Sequence, residues 1–252
     1  MRAAIVTGAS SGIGQSAALK LGADGFAVLA VGRDTVALGD TCRRIQQQPD
    51  GRAEPFAIDV TAQEAPSKIV SRCVETFGGL DALVNAAGVI ASGAVADTTD
   101  EEADAMMDVN LRAPFRLIRE SARALADRRG AIVNVSSVAG TRAFPGLMSY
   151  CVSKAALDQL TRVAALDFAA QGVRVNAVNP GVVVTNLHRR GGMEEARYAE
   201  FLEHSKTTHP LGRAGTPDEV ADLIAYLASP RAAWITGETI SIDGGRHLTC
   251  LR

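Results

Sequence analysis

Short runs of aliphatic and β-branched residues alternate along the chain with longer segments in which apolar residues recur every three or four positions. The short runs are typical of strands buried on both faces, and the longer segments are typical of amphipathic helices. The predicted strands are 3–6, 27–31, 53–58, 82–84, 132–135, 173–178 and 239–242. The predicted helices are 15–21, 35–47, 62–77, 101–125, 150–170 and 217–227.

This regular alternation predicts an α/β fold, with a parallel sheet of about seven strands and helices on both faces. No linker rich in Pro, Gly or Ser and no internal repeat interrupts the series, so residues 1–252 are predicted to form a single domain. Residues 187–211 are charged, partly helical and match no sheet position. We expect them to form an insertion at the carboxyl edge of the sheet, placed as a lid over the substrate.

The first predicted strand runs into a glycine-rich turn, Thr7-Gly8-Ala9-Ser10-Ser11-Gly12-Ile13-Gly14. Glycine allows a tight turn and a close approach of a diphosphate to the backbone, and the helix that follows offers unpaired amides. The predicted phosphate contacts are Gly8, Ser10, Ser11, Gly12, Ile13 and Gly14. A purely structural turn is the alternative. No Lys follows the last glycine, which argues against a triphosphate-binding P-loop.

The end of the second predicted strand indicates which cofactor is bound. An NAD site usually places an acidic residue there against the ribose 2′-hydroxyl, but this chain has Gly32 followed by Arg33. A guanidinium pairs well with a 2′-phosphate, so NADP(H) is favoured over NAD(H). Asp34 keeps the other interpretation open, either as the ribose-binding acid or as a helix cap.

Candidate acid–base chemistry centres on Tyr150 and Lys154, which share one face of a predicted helix at positions i and i+4. A phenol has a pKa of about 10, and a nearby ammonium is expected to lower that pKa. Tyr150 can then protonate a carbonyl oxygen or deprotonate an alcohol, while Ser137 donates a hydrogen bond to the same oxygen. Such a Tyr–Lys pair is also common on protein surfaces. The glycine-rich turn, Ser137 and Asn110 favour the catalytic interpretation.

Taken together, these segments resemble the short-chain dehydrogenase/reductase family, in its single-domain branch and among its 3-oxoacyl-carrier-protein reductase-like members. The resemblance covers essentially the whole chain. It rests on TGASSGIG at 7–14, DV at 59–60, NAAG at 85–88, VN at 109–110, NVSS at 134–137, YCVSK at 150–154, NPGVVVT at 179–185 and ITGETISIDGG at 235–245. The family implies a Rossmann-type, doubly wound sheet and a homotetramer.

The resemblance also implies roles for individual residues. The catalytic tetrad would be Asn110, Ser137, Tyr150 and Lys154, with Asn110 carrying a water that links Lys154 to a proton relay. Adenine contacts would come from Asp59 and Val60. The segment passing beneath the cofactor would be Asn85, Ala86, Ala87 and Gly88, and the wall beside the nicotinamide would be Pro180, Gly181, Val183 and Thr185.

Substrate choice is expected to depend on the apolar segment 138–148 and on the lid segment 187–211. Gly191 and Gly192 suggest a hinge, and His188 is a candidate for binding but not for catalysis. Arg189 and Arg190 suit either an anionic substrate or a solvated basic turn. Likewise, the pair Arg128 and Arg129 suits either docking of an acyl carrier protein or stabilisation of a helix C-terminus.

Composition narrows the class of protein further. The chain has 26 Lys and Arg against 28 Asp and Glu, and no run of five like charges, so nucleic-acid binding is not expected. The uncharged stretch 82–96 is too short and polar to span a membrane. The four cysteines have neither metal-ligand nor CxxC spacing, so we expect free thiols, no metal site and a cytoplasmic protein.

Three functions are therefore weighed. The first is an NADP(H)-dependent reductase of ketones or 3-oxoacyl groups, or the reverse oxidation. The second is an NAD-dependent alcohol, steroid or sugar dehydrogenase on the same scaffold. The third, a nucleotide-sensing module without turnover, has no need of Tyr150 and Lys154 together. The apolar C-terminal segment and the helices 101–125 and 150–170 are expected at subunit interfaces, and the tail 246–252 could cross to a neighbouring subunit.

Overall fold

The structure, a computed structural model, describes residues 1–249. These residues contain one seven-stranded, fully parallel sheet in the order β3-β2-β1-β4-β5-β6-β7, which confirms the predicted α/β architecture. Its strands are β1 (Arg2–Thr7), β2 (Phe26–Gly32), β3 (Arg52–Ala57), β4 (Ala82–Asn85), β5 (Ala131–Val135), β6 (Arg174–Pro180) and β7 (Thr239–Ile242).

Helices connect the strands and cover both faces of the sheet. They are α1 (Gly12–Ala23), α2 (Thr35–Gln46), α3 (Ala65–Phe77), α4 (Asp100–Met107), α5 (Ala113–Ala126), α6 (Met148–Phe168), α7 (Leu187–Arg190), α8 (Glu195–Thr208) and α9 (Pro217–Ala228). Among the residues described, no helix is both long and apolar enough to cross a lipid bilayer.

Two apolar layers explain why the strands are uninterrupted apolar runs. On β1, Ala4 and Val6 pack in the layer shared with α1, α2 and α9, whereas Ala3 and Ile5 pack in the layer shared with α3, α5 and α6. Side chains on the central strands, from β2 to β6 in the sheet order, are therefore almost all buried whichever way they point, whereas those of the edge strands β3 and β7 are not. The burial of all seven residues of β2 shows this most clearly.

The strand order places a crevice at the carboxyl edge of the sheet. The chain proceeds outward from β1 through β2 to β3, and then returns to β4 on the other side of β1. The connections after β1 and β4 consequently diverge to opposite faces and leave an opening between them, where α/β proteins bind their ligands.

The segment 101–125 differs from the single long helix that was expected. It consists of α4 and α5 joined by a π-helical turn, Asp108–Arg112. Pro114 lacks the amide hydrogen that would bond to the carbonyl of Asn110 in a continuous α-helix, so the regular ladder fails here. The widened turn contains Asn110, one of the predicted site residues.

Candidate active site

A cavity of about 810 Å³ occupies the crevice at the carboxyl edge of the sheet. It brings together most of the predicted site residues from segments distant in the chain. Its lining includes Gly8, Ser10, Ser11, Gly12, Ile13, Gly14, Arg33, Asp59, Val60, Ala86, Ala87, Gly88, Ser137, Tyr150, Lys154, Pro180, Gly181, Val183 and Thr185. Two predicted residues, Asn85 and Asn110, do not line it.

The glycine-rich turn packs so closely against its own chain that two of its glycines have no room for a side chain. A Cβ on Gly8, whose φ is +68°, would lie 2.8 Å from the Ala86 carbonyl oxygen, and one on Gly14 would lie 2.3 Å from the Gly8 carbonyl oxygen. Unlike α2, α4 and α9, helix α1 begins without a side-chain cap, and its first turn contains no acidic residue. An uncapped helix N-terminus facing a cavity fits the diphosphate of a dinucleotide.

The segment expected beneath the cofactor is held by Thr7, at the end of β1. Its Oγ1 accepts hydrogen bonds from the amides of Ala86 at 3.0 Å and Ala87 at 3.1 Å. Asn85 is held by a different contact. Its Nδ2 donates to Oδ1 of Asn134 at 2.8 Å within the sheet, so its role is to link β4 and β5. Asn85, expected beneath the cofactor with this segment, is buried and does not line the cavity.

At the end of β2, the side chain of Arg33 is 75% exposed and lies 4.0 Å from Asp59, a separation that makes a weak surface pair. Hydrogen bonds from Thr61 lower the pKa of Asp59. Asp34 has a different task, because its carboxylate caps α2 by accepting from the Ala37 amide at 3.0 Å. Of the two roles open to Asp34, the geometry therefore matches the helix cap.

Tyr150 and Lys154 lie on the buried face of α6, with the Lys154 Nζ 5.8 Å from the centre of the Tyr150 ring. The Lys154 ammonium donates to the Val135 carbonyl at the end of β5, at 2.8 Å. Burial lowers the pKa of Lys154 to about 8. At neutral pH this position therefore holds a buried cation beside the phenol.

The pKa of Tyr150 moves in the direction opposite to the sequence expectation. Burial raises this pKa, and a hydrogen bond with Ser137 opposes the rise only in part. Burial dominates because the low-dielectric pocket disfavours the phenolate. Tyr150 is therefore protonated at neutral pH, as an ordinary phenol also is.

Asn110 lies near Lys154 but does not line the cavity. Its side-chain amide forms two 3.0 Å hydrogen bonds with the backbone of Val89, and its Nδ2 also donates to Oγ of Ser153 at 3.1 Å. A Cβ on Gly88 would lie 3.4 Å from the Asn110 Oδ1 and 3.7 Å from the Lys154 Nζ. Asn110 therefore ties the π-helical turn to the floor of the cavity beside Lys154.

Asp158 and Asn179 form a buried support for Ser137 that was not predicted from sequence. The Nδ2 of Asn179 donates to Asp158 at 2.9 Å and to the Ser137 carbonyl at 3.1 Å. Gly140 admits this carboxyl, since a Cβ there would lie 2.5 Å from it. Asp158 follows Lys154 by one further helical turn, so continuing the i, i+4 pattern to i+8 would have signalled it.

His209, also missed from sequence, supports the wall expected beside the nicotinamide. Its Nε2 accepts from the Val182 amide at 3.1 Å, and its Nδ1 lies 2.9 Å from the Ser205 carbonyl. A carbonyl can only accept, so the hydrogen is on Nδ1 and Nε2 is free to accept. Burial lowers the pKa of His209, which favours this neutral form.

In the segment 187–211, α7 and α8 cover one end of the cavity. Arg189 binds Glu195 through two hydrogen bonds, of 2.6 and 2.7 Å, and its guanidinium lies 3.9 Å from the centre of the Tyr198 ring. It therefore joins α7 to α8, whereas Arg190 lines the cavity. Gly191 packs closely under Ile90, with room for no side chain.

Arg128, Arg129 and His188 make the following contacts. Arg128 donates to the Gly78 carbonyl at 2.8 Å and so holds the turn after α3. Arg129 adopts a left-handed conformation, with φ of 49°, beside Gly172. His188 lines the cavity at 4.7 Å from the Phe201 ring, and burial lowers its pKa.

The described part of the tail, 246–249, packs against its own chain. Arg246 is buried and lines the cavity of its own chain, and Thr249 donates to the Thr208 carbonyl at 3.4 Å. Residues 250–252 lie outside the described residues. Of the cysteines described, Cys42, Cys73 and Cys151 are free thiols, and burial raises the pKa of Cys42 to about 11 and that of Cys73 to about 12.

Comparison with known proteins agrees with this geometry. A family model described as enoyl-(acyl carrier protein) reductase matches residues 8–247. The 3-oxoacyl-[acyl-carrier-protein] reductase FabG of Thermotoga maritima is 35% identical over 242 residues, covering 96% of this chain and 96% of that protein. A 3beta-hydroxysteroid dehydrogenase of Mediterraneibacter gnavus is also 35% identical, over 96% of this chain and 93% of its own.

Solved structures show the same fold. A short-chain dehydrogenase/reductase of unknown function from Caenorhabditis elegans, solved with cofactor, has a TM-score of 0.91 at 33% identity, covering 98% of this chain and 96% of that one. A short-chain type dehydrogenase/reductase from Mycobacterium marinum has a TM-score of 0.90 at 33% identity, over 99% and 96%. The chain is therefore an NAD(P)-dependent oxidoreductase acting on CH–OH groups, and it belongs to the short-chain dehydrogenase/reductase family.

Proposed function

We propose that the protein is an NADP(H)-dependent reductase that converts a ketone or 3-oxoacyl carbonyl into a secondary alcohol, with Tyr150 as the proton donor. The observation that carries this proposal is the joint placement of Ser137, Tyr150 and Lys154 around one cavity that also contains the glycine-rich turn. Burial raises the pKa of Tyr150, so the phenol is protonated at neutral pH and has a proton to donate. The FabG relatives support a 3-oxoacyl substrate.

In this proposal the protein orients the carbonyl group and donates a proton to it. When bound, the cofactor supplies the hydride that adds to the carbonyl carbon. Ser137 donates a hydrogen bond to the carbonyl oxygen as its negative charge grows, and Tyr150 transfers its hydroxyl proton to that oxygen. Lys154 stabilises the phenolate that remains, and solvent restores the proton through the relay beside Asn110.

Different parts of the cavity would bind different parts of the cofactor. The amides at the start of α1 would hold the diphosphate, and Asp59 and Val60 would contact the adenine. Lys154 would bind the ribose next to the nicotinamide, whose other wall would be the segment 180–185. The described residues in these places line the cavity and leave backbone amides exposed to it.

Preference for NADP(H) rests on Arg33. Its exposed guanidinium has only the weak 4.0 Å pair with Asp59 to give up, and the carboxylate of Asp34 is occupied as a cap. A charge-assisted hydrogen bond to the 2′-phosphate is worth about 1.5–3 kcal/mol, or about 10- to 150-fold in affinity. Arg33→Ser should therefore weaken NADPH binding by that factor and leave NADH binding unchanged.

The experiment combines cofactor binding with turnover. NADPH and NADH are titrated in parallel by their own fluorescence, and NADPH oxidation is then followed with short ketones and a 3-oxoacyl thioester. Tighter NADPH binding that is lost in Arg33→Ser, together with ketone reduction, supports the proposal. Tighter NADH binding in the wild type would refute the role of Arg33, and no turnover with any carbonyl would refute the reductase.

An NAD-dependent steroid or alcohol dehydrogenase is the second candidate. The similarity to a 3beta-hydroxysteroid dehydrogenase favours it, because that relative covers the same portion of the chain at the same identity as the reductase. The two candidates differ in direction. A dehydrogenase should oxidise a hydroxysteroid with NAD⁺ faster than the protein reduces ketones with NADPH.

We also propose that the protein forms a homotetramer and is located in the cytoplasm. Residues 187–211 are proposed to act as the substrate lid. Exposed apolar side chains support the interfaces expected on the long helices and the C-terminal part, since such side chains are often covered by a partner. They are Phe115 on α5, Val152, Val163 and Leu166 on α6, and Trp234, which is 99% exposed. Docking of an acyl carrier protein has no support beyond the names of relatives.

A further inference from the structure

The charges around the cavity are distributed unequally. Among residues 1–249, the lining contains five arginine and lysine residues but one carboxylate, Asp59, which lies beside Arg33 at the adenine end. The lining residues at the substrate end carry no carboxylate to oppose the cations there. A neutral substrate does not require such a surface, and it is unfavourable for a positively charged one.

Two arginines of this end, Arg190 on α7 and Arg197 on α8, are available for a ligand. Neither side chain forms a hydrogen bond or ion pair with any residue in the range 1–249. Arg189, next to Arg190, shows the contrast, because Glu195 and Tyr198 hold it in place. Arg189 therefore stabilises the contact between α7 and α8, whereas Arg190 faces the cavity.

Helix α8 separates its charges by face. Arg197, Phe201, His204, Ser205 and Thr208 line the cavity at helical spacing. The acidic residues of the same helix lie off this face, and they are Glu195, Glu200 and Glu203. Arg197 has acidic residues three positions away on both sides, Glu194 and Glu200, and pairs with neither. The face toward the cavity is therefore cationic although the helix as a whole is not.

Apolar residues line the cavity both beside Tyr150 and in the lid. Phe144 and Leu147 pack beside Tyr150, together with Val89 and Ile90. The lid contributes further apolar lining from Leu187, Met193 and Phe201. A molecule whose carbonyl reaches Tyr150 would thus pass its apolar body along this wall and bring its far end to the cationic rim.

We propose that Arg190 and Arg197 form an anion-binding subsite, and that the substrate carries a carboxylate or phosphate group at the end remote from its reacting carbonyl. Guanidinium groups bind both anions through paired, charge-assisted hydrogen bonds. The anion could be the carboxylate of a free oxo acid or the phosphate of a pantetheine arm in a thioester. This inference rests on the proposed carbonyl reduction.

The test compares matched anionic and neutral ligands. One pair is an aliphatic oxo acid and its methyl ester, and the other is the same acyl group on phosphopantetheine and on pantetheine. The double variant Arg190→Gln/Arg197→Gln should lower kcat/KM for the anionic members by about 10- to 100-fold, and leave it for the neutral members within about twofold. Lys206→Gln, which removes an α8 cation that does not line the cavity, is the matched control and should change neither.

The size of the effect in each pair identifies the source of the anion, since the larger loss marks the carboxylate or the phosphate. Equal losses for anionic and neutral members would overturn the subsite and show that the arginines only shape the lid. An unchanged kcat/KM for both members of each pair would also overturn it.

Calorimetry separates this inference from the proposed function. Binding of each ligand to the protein saturated with oxidised cofactor is measured without turnover. If no ketone is reduced, the reductase proposal fails, and calorimetry alone decides the subsite. Anionic ligands should bind at least about tenfold more tightly than their neutral partners and lose that advantage in the double variant. Equal affinity within each pair would refute the subsite.

Discussion

The buried charge of Lys154 is proposed to serve catalysis, but it destabilises the folded protein, and Lys154→Met separates these two effects. The side chain is 4% exposed, and burial lowers its pKa from 10.5 to about 8. At pH 7 this difference makes the charged lysine cost the folded state about 3 kcal/mol, because one pKa unit corresponds to about 1.4 kcal/mol. Methionine keeps the apolar stem but leaves the Val135 carbonyl unpaired, which costs about 1 kcal/mol.

The cofactor-free Lys154→Met variant should therefore be more stable than the wild type at pH 7 by about 2 kcal/mol, or about 4–8 °C in its thermal midpoint. The sign of the pH dependence follows from the depressed pKa. Between pH 8 and pH 10.5 the unfolded chain holds more protons than the folded chain, so wild-type stability rises with pH. The advantage of the variant should shrink by about 2 kcal/mol between pH 7 and pH 9.5.

Urea unfolding at a series of pH values measures this difference, and turnover is assayed in parallel. Lys68→Met removes a lysine from the exposed face of α3 and should show no such pH-dependent gap. The reasoning would be refuted if Lys154→Met were less stable than the wild type at pH 7. It would also be refuted if the stability difference between Lys154→Met and the wild type stayed constant from pH 7 to pH 9.5. Ketone reduction should be lost in the variant in spite of its greater stability.

Two further substitutions test the cofactor end of the cavity. Asp34→Ala removes the cap of α2 and should cost about 1 kcal/mol in urea unfolding, while NADPH and NADH affinities stay unchanged. A selective loss of NADH binding would instead make Asp34 the ribose-binding acid. Gly8→Ala adds a Cβ at 2.8 Å from the backbone of Ala86 at a positive φ, so it should abolish cofactor binding by fluorescence titration and lower the thermal midpoint. Normal cofactor affinity in this variant would contradict the idea that the backbone must approach Gly8 this closely for the cofactor to bind.

The sequence predicts the sheet and the main catalytic face because both depend on local periodicity. The buried strands are continuous apolar runs, and Tyr150 and Lys154 are one turn apart on a helix that forms as expected. What the sequence did not predict depends on contacts between distant segments. Asp158 and Asn179 are 21 residues apart, and the hydrogen bond from Val182 to His209 spans 27.

Two mistaken expectations have identifiable physical causes. Asn110 was placed in an uninterrupted helix because the apolar pattern continues through 101–125, although Pro114 marks the break. The pKa of Tyr150 was expected to fall because Lys154 is near. The degree to which Tyr150 would be buried cannot be read from helical spacing, and burial raises its pKa.

The central claim is that Tyr150 donates the proton in carbonyl reduction. The most direct measurement is the single-turnover rate of NADPH oxidation with a saturating ketone in Tyr150→Phe, with the NADPH affinity determined on the same sample. Phenylalanine preserves the ring that packs beside Phe144 and Leu147 and removes only the hydroxyl. The account predicts unchanged cofactor affinity and a rate lower by about 10³-fold. A rate within about tenfold of the wild type would contradict it.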